Sequence, residues 1–267
     1  DADTSLVKAK LKPFILRREK REVLDSLPEK TEVILKCPLS DEQLQLYKTV
    51  LEATKQGIQK AKQTKNKLHM LTALLKLRQV CTHPACLKEC KNSDIPSAKF
   101  ELIKEKITEL MAKNHKVVLF SQFTSMLDII QSWIEEQSFY FERIDGTITG
   151  QKRMDAVERF QSSEKATTFL ISLKAGGVGI NLTAADYVIH VDPWWNPAIQ
   201  AQATDRVHRM GQQNKVIVYK LICAGTIEEK IQQLQAEKQQ LLTEIVDIDG
   251  EGQKNVDFDE IKELIFT

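Results

Sequence analysis

The sequence predicts an α/β fold, a parallel sheet covered by helices on both faces. Three observations lead there. From Ser97 onward, short apolar segments alternate with amphipathic helical ones. The apolar segments, such as Lys116–Phe120 and Thr168–Ser172, are nearly continuous runs, the pattern of strands buried on both sides. Small and polar residues follow them at Ser121-Gln122, Asp145-Gly146, Lys174 to Gly179 and Asp192 to Asn196. Those positions fall outside the carboxyl ends of the strands, where sheets of this kind bind ligands.

The elements can be justified in order. Residues 1–37 read as a connector, crowded with Lys8, Lys10, Lys12, Arg17, Arg18, Lys20 and Arg21, with a break at Leu27–Lys30 and a short strand at Thr31–Leu35. Residues 38–96 read as a helical protrusion. Ser40-Asp41-Glu42-Gln43 is a capping box that opens a helix, and Leu44, Tyr47, Leu51, Thr54 and Ile58 form its buried stripe. A second helix, Leu68–Val80, stops near His83-Pro84, and Lys91–Pro96 is a polar loop. Residues 97–225 carry the sheet. Helices are expected at Ala98–Lys113, Thr124–Glu136, Gly150–Phe160, from about Gly176, and at Ala198–Arg209. Strands are expected at Lys116–Phe120, Tyr140–Ile144, Thr168–Ser172, Tyr187–Asp192 and Lys215–Ile222. Residues 226–267 hold a long helix to about Ile245, a polar linker, and an acidic-apolar tail from Val256 to Phe266.

Composition narrows the function classes. With 267 residues the chain can bury a sizeable core. The formal net charge is +1, so any nucleic-acid contact must come from a local patch. Five irregularly spaced cysteines suggest a reducing compartment, and neither a membrane-length apolar run nor a leader is visible. These features point to an intracellular, soluble protein. The start at Asp1 suggests a piece of something longer.

Several residues invite chemistry. On the expected helix Ala198–Arg209, Gln202, Arg206 and Arg209 stand at i, i+4 and i+7, one face, beside Asp205. Two guanidinium forks suit phosphate oxygens, but a surface helix with a salt bridge from Asp205 fits the spacing equally. Lys174-Ala175-Gly176-Gly177-Val178-Gly179 after a strand allows close backbone approach to a phosphate, or is simply a tight turn. As a dinucleotide fingerprint it fails, because Leu182 stands where the third glycine is needed. Ser121-Gln122 could bind a phosphate oxygen. Trp194-Trp195 between two prolines could stack bases, but the structural reading, fixing a coupling loop, is preferred. The run Lys55 to Lys67 is either a solvated helix face or a DNA-facing arm. Cys81, His83, Cys86 and Cys90 lack the paired C-x2-C spacing, and no metal is assigned to them.

Four blocks carry a family resemblance. VVLFSQF (Val117–Phe123), RIDGTITGQKRMDAVERF (Arg143–Phe160), ISLKAGGVGINLTAADYVIHVDPWWNP (Ile171–Pro197) and QATDRVHRMGQ (Gln202–Gln212) resemble, in order, the helicase motifs of the SWI/SNF ATPase family. These are double-stranded DNA translocases of helicase superfamily two. PFILRREKREVLDSLPEKTEV (Pro13–Val33) and LLKLRQVCTHP (Leu74–Pro84) resemble the family's connector and protrusion. Val207 and Met210 replace the more usual Ala and Ile, apolar for apolar. No Gly-Lys phosphate loop and no DExH box is present. The chain therefore resembles the second, C-terminal RecA-like lobe alone, with a protrusion and a C-terminal brace helix.

The resemblance implies the following roles. Arg206 and Arg209 would be arginine fingers toward a nucleotide held by the other lobe, with Gln202, Asp205, Gly177 and Gly179 on the nucleotide side. Ser121, Gln122, Ser172, Lys174 and Gly176 would meet the DNA backbone. ATP and Mg²⁺ would be bound mainly by the N-terminal RecA-like lobe, and the activity would be chromatin or nucleoprotein remodelling by a DNA-dependent ATPase, with this lobe inactive alone. Short protrusions favour a bacterial cytoplasm over a eukaryotic nucleus. Two other classes are weighed: a non-catalytic protein-interaction or regulatory module, separated by whether adding the other lobe restores ATPase activity, and a self-sufficient nucleotide-cofactor domain, which the missing third glycine disfavours.

Overall fold

A computed structural model describes residues 27–60, 66–148, 150–173, 175 and 179–246. The basic connector Lys8–Arg21, the tail from residue 247, and the site candidates Lys174, Gly176 and Gly177 lie outside those residues.

Six strands form one parallel sheet: β1 (Lys30–Cys37), β2 (Lys116–Ser121), β3 (Phe141–Ile144), β4 (Thr167–Ser172), β5 (Tyr187–His190) and β6 (Val216–Cys223). Their order is β1-β6-β5-β2-β4-β3. Among the described residues seven α-helices accompany them: α1 (Asp41–Lys60), α2 (Asn66–Thr82), α3 (Ala98–Ala112), α4 (Thr124–Glu136), α5 (Gln151–Ser162), α6 (Pro197–Thr204) and α7 (Ile227–Val246). This is the RecA-like architecture expected from the sequence.

The two-residue period of the strands sorts their side chains into two cores. Val118, Phe120, Phe169, Ile171, Val188 and Val218 join Ala156 and Phe160 of α5, Ala203 of α6, and Ile180 and Leu182. Their neighbours Val117, Leu119, Leu170, Ile189 and Leu221 join Ile103 and Ile107 of α3 and Met126, Leu127 and Ile130 of α4. A polar substitution anywhere along β2 would therefore reach a buried face.

The strand read at Thr31–Leu35 extends over Lys30–Cys37 and pairs along its whole length with β6. The segment assigned to the connector thus supplies one of the sheet's two edge strands. A third core unites the α1–α2 hairpin with the start of α7: Tyr47, Leu74, Leu77 and Cys81 pack on Cys223, Ile227 and Ile231.

Two polar devices tie that hairpin and α7 to the sheet. The Tyr47 hydroxyl accepts the Ile227 N–H at 2.9 Å, satisfying one of the orphan donors of the α7 N-terminus. Lys99 at the start of α3 is fully buried, and its Nζ lies 2.8 and 2.6 Å from the two carboxylate oxygens of Glu228. Glu228 Oε2 also accepts the Cys223 N–H at 2.9 Å. One carboxylate thereby joins α3, β6 and α7.

Three local expectations need correction. Ser40 caps α1 by accepting the Gln43 N–H at 3.2 Å, but the Gln43 side chain does not reach back. It is buried instead between the hairpin and α3, donating to Val80 O at 2.8 Å and accepting the Ala98 N–H at 3.2 Å. The buried stripe of α1 accordingly rotates toward Gln43 and Tyr47, leaving Leu44 exposed. The helix expected from about Gly176 is absent among the described residues. Ile180 and Leu182 are both buried at a two-residue spacing, and the chain runs without helix to β5. The third correction concerns α6 and its arginines, described next.

Candidate motor-lobe site

The site is organised around Asp192, just beyond the end of β5. Its side chain is completely buried. Oδ1 accepts the Ser121 hydroxyl at 2.6 Å and the Gln122 N–H at 3.2 Å, so the ends of β2 and β5 are locked together. The Ser121 Oγ also accepts the Phe123 N–H at 3.1 Å. Ser121 is thus buried, and its hydroxyl holds the ends of β2 and β5 together. Gln122 is the half-buried member of that pair. Burial pushes the Asp192 carboxyl above its usual value, opposed by the nearby Arg78 guanidinium and the Ser121 hydrogen bond.

Ser172, at the end of β4, is also buried, and its Oγ accepts the Ala175 N–H at 3.3 Å, starting the turn of the Gly-rich loop. Arg153 of α5 reaches across to donate to the Ala175 carbonyl. Gly179 has open space where a Cβ would stand. The far end of this loop meets the arginine segment: Leu182 N–H donates to Arg206 O at 2.9 Å. The backbone of Arg206 therefore lies beside Leu182, on the face of the sheet covered by α5.

Helix α6 is shorter than the expected Ala198–Arg209. Asn196 caps it through a 2.9 Å bond from the Ala198 N–H to its Oδ1, Pro197 fills the first position, and the helix ends at Thr204. Asp205 is the C-cap, and the chain then turns through Arg206 to Gly211, whose φ is +96°. Gln202, Arg206 and Arg209 consequently do not share one helical face. Two attachments break the helix: the Leu182 bond to the Arg206 carbonyl, and burial of Val207 in the core beside Leu182. Gln202 is exposed, while Asp205, Arg206 and Arg209 are half-buried.

The following residues hold this turn in place. His208 Nε2 donates to the Pro28 carbonyl at 2.7 Å, joining it to the segment that leads into β1. Gln212 is buried, donates to Ala185 O at 2.8 Å, and accepts the N–H groups of Gln213 and Asn214, both at 2.9 Å. Trp194 packs against the sheet core, and Trp195 against the hairpin core, in line with the structural reading of that pair.

Sequence reasoning missed Arg78, Arg153 and Gln235. Arg78 sits inside the quoted LLKLRQVCTHP block, the one charged residue among the buried positions of α2 from Met70 on. A lone arginine on an apolar helical stripe was the available signal. Among the described residues no group of three His, Cys, Asp or Glu side chains could hold a metal. His83, one of the residues weighed for zinc, uses its Nδ1 to accept the Ala85 N–H at 3.1 Å. Among the described residues no helix is long and apolar enough to cross a membrane.

Known proteins match this arrangement. The helicase conserved C-terminal domain matches residues 98–211, and the SNF2-related domain matches residues 3–86. A Mycoplasma pneumoniae protein described as an uncharacterized ATP-dependent helicase is 40% identical over 245 residues, covering 91% of this chain and 23% of that protein. The chain spans between 14% and 26% of the length of the full-length relatives it matches. The Sulfolobus solfataricus SWI2/SNF2 ATPase C-terminal domain superposes with a TM-score of 0.70 at 35% identity, over 89% of this chain and 99% of that one. The ATPase core of a Sulfolobus solfataricus SWI2/SNF2 protein in complex with double-stranded DNA superposes with a TM-score of 0.71 at 38% identity, over 92% of this chain and 52% of that one. The shared sheet, the shared motifs and a match to the whole of a solved C-terminal domain place this chain in the SWI2/SNF2 ATPase family, as its C-terminal lobe.

Proposed function

We propose that this chain is the second motor lobe of an ATP-dependent translocase on double-stranded DNA. The observation that carries the reading is the Leu182–Arg206 bond, which holds the turn of Arg206 beside the chain just beyond the Gly-rich segment. In this reading Gly177 and Gly179 line the nucleotide side of that loop, with Gln202 and Asp205 alongside. The DNA backbone lies against Ser121, Gln122, Ser172, Lys174 and Gly176.

ATP supplies the phosphoryl group whose transfer drives the motor. Arg206 and Arg209 offer planar guanidinium donors to charge that develops on that group, a role worth several orders of magnitude in rate when the donors come from outside the phosphate loop. Mg²⁺ and the β- and γ-phosphates are assigned to the N-terminal lobe, so this chain alone should not hydrolyse ATP. Helices α1 and α2 act as the protrusion and α7 as the brace. DNA affinity would be electrostatic, sequence neutral and salt dependent.

The test is Arg206→Ala and Arg209→Ala in the two-lobe protein. Turnover should fall on the order of 10³-fold or more while duplex binding and melting temperature persist, and Arg→Lys should rescue poorly. Near-normal turnover in either variant would show that arginine to be structural.

A further inference from the structure

One loop, Asp192 to Trp195, is gripped from both α2 and α7. From α2, Arg78 donates through Nη2 to the Pro193 carbonyl, and the same nitrogen lies 3.7 Å from Asp192 Oδ2. Its guanidinium carbon sits 5.4 Å from the Trp195 ring centroid and 5.9 Å from that of Phe123. From α7, Gln235 donates to the very next carbonyl, Trp194 O, and stands 3.5 Å from the Gln200 side chain on α6. Two helices distant in sequence thus grip consecutive peptide units. The gripped loop ends at Asn196, the cap of α6, and α6 delivers the chain to Arg206 and Arg209.

Filling space does not explain Arg78. Its side chain is only 4% exposed, so its charge is desolvated at a cost that an apolar residue of similar size would avoid. Its Nε has no hydrogen-bond partner among the described residues, and neither does the buried Nε2 of Gln122 nearby. What the guanidinium does provide is one rigid plane that meets a carboxylate, a carbonyl and an indole face together. The carboxylate it meets is the same Asp192 that aligns Ser121 and Gln122. We propose that Arg78 is a positioning residue for turnover. Through the Asp192–Trp195 loop it registers the α1–α2 hairpin against both the β2 end and the arginine segment, and Gln235 does the same for α7. This rests on the motor-lobe reading above.

The experiment uses the two-lobe protein with Arg78→Gln, Arg78→Lys, Gln235→Ala and the Arg78→Gln/Gln235→Ala double variant. The readouts are kcat at saturating duplex, KM for ATP, duplex Kd at two salt concentrations, and Tm. Arg78→Gln should lower kcat by about 10- to 100-fold, the scale of an ångström-sized misplacement of reacting groups, with KM and duplex Kd within about twofold. Arg78→Lys should recover part of kcat, since it restores the charge facing Asp192 but not the plane. Gln235→Ala should lower kcat several-fold, and the double variant should be little worse than Arg78→Gln, because both act on one loop.

Wild-type kcat in a folded Arg78→Gln protein would overturn the assignment. So would parallel losses of kcat, KM and Kd that track the loss of Tm, the mark of a purely structural residue. If the Arg78 variants fail to fold, Gln235→Ala decides, and unchanged turnover there overturns the shared-loop role. A wild-type protein without duplex-stimulated turnover would instead overturn the motor reading, and the positioning role with it.

Discussion

Acid should weaken this fold through His190 before most carboxylates titrate. The imidazole is buried at the end of β5, stacked on Phe120 with ring centroids 5.4 Å apart. Thr204 Oγ1 gives its own proton to Gln200 O at 3.2 Å, so the 2.8 Å contact with His190 must be donated by Nε2–H. Nδ1 then carries the lone pair and has no partner among the described residues. Burial, helped by the positive charge of Lys220, pulls the pKa from 6.5 down to about 3. Between those values His190 is neutral in the fold and protonated in the unfolded chain, so the unfolded state binds more protons. Its contribution is therefore complete above 6.5 and is lost as the pH falls toward 3. At about 1.4 kcal/mol per unit, going from about pH 7.5 to about pH 5 removes about 2 kcal/mol. For a domain of this size that is a fall in Tm of about 4–8 °C. His190→Gln keeps a donor for Thr204 and cannot titrate. Urea unfolding of the two proteins across that range should show the variant less pH sensitive by that amount. His83 is also pulled down by burial and leaves a residual slope in both. Equal slopes, or an NMR titration placing the folded His190 near its ordinary value, would refute the reasoning.

Three further outcomes are expected. Lys99→Met strands the Glu228 carboxylate in a fully buried place and should destabilise the fold by about 3–5 kcal/mol, whereas adding Glu228→Leu should restore most of that in thermal melts. A double variant as unstable as the single would show that the ion pair is not what matters there. Burial would lower the Lys99 pKa, but Glu228 outweighs it and the net direction is up, so wild-type stability from this pair should hold below 10.5 and be lost only at more alkaline pH. In the two-lobe motor, Lys174→Ala should weaken duplex binding alike for all sequences and reduce the salt slope by about one, and a sequence-selective loss would remove Lys174 from the backbone contacts.

The sheet was legible because strand and helix periods differ and strands such as β2 and β4 are buried on both faces. Helix Thr124–Glu136 was read to the residue, since Met126, Leu127, Ile130 and Ile134 repeat at helical spacing. β1 was under-read because its pattern, half exposed through Lys30, Glu32, Ile34 and Lys36, is that of an outer strand and resembles a linker. Gln43 shows a different limit. Ser-x-x-Gln at a helix start signals a capping box, yet a buried polar demand elsewhere, the Val80 carbonyl and the Ala98 amide, outweighed the local bond. Local chemistry proposes partners, and tertiary structure selects among them.

The same competition explains what was misread at the site. Gln202, Arg206 and Arg209 fit a helical face in spacing, and nothing local stops the helix at Thr204. It stops because Val207 is drawn into the core and Arg206 O is taken by Leu182, a residue of the preceding loop. Ser121 was read as able to bind a phosphate oxygen, and its bond to Asp192 was not foreseen. Its partner, Asp192, lies 71 residues away, and only the neighbouring placement of β2 and β5 brings the two within 2.6 Å. Arg78 is a further case, since its partners Pro193 and Trp195 come more than a hundred residues later. Residues that contact a ligand cluster in short motifs, where a reader finds them. Residues that set the angles of those motifs are chosen by the fold and scatter along the chain, so their role emerges only when the strands are laid side by side.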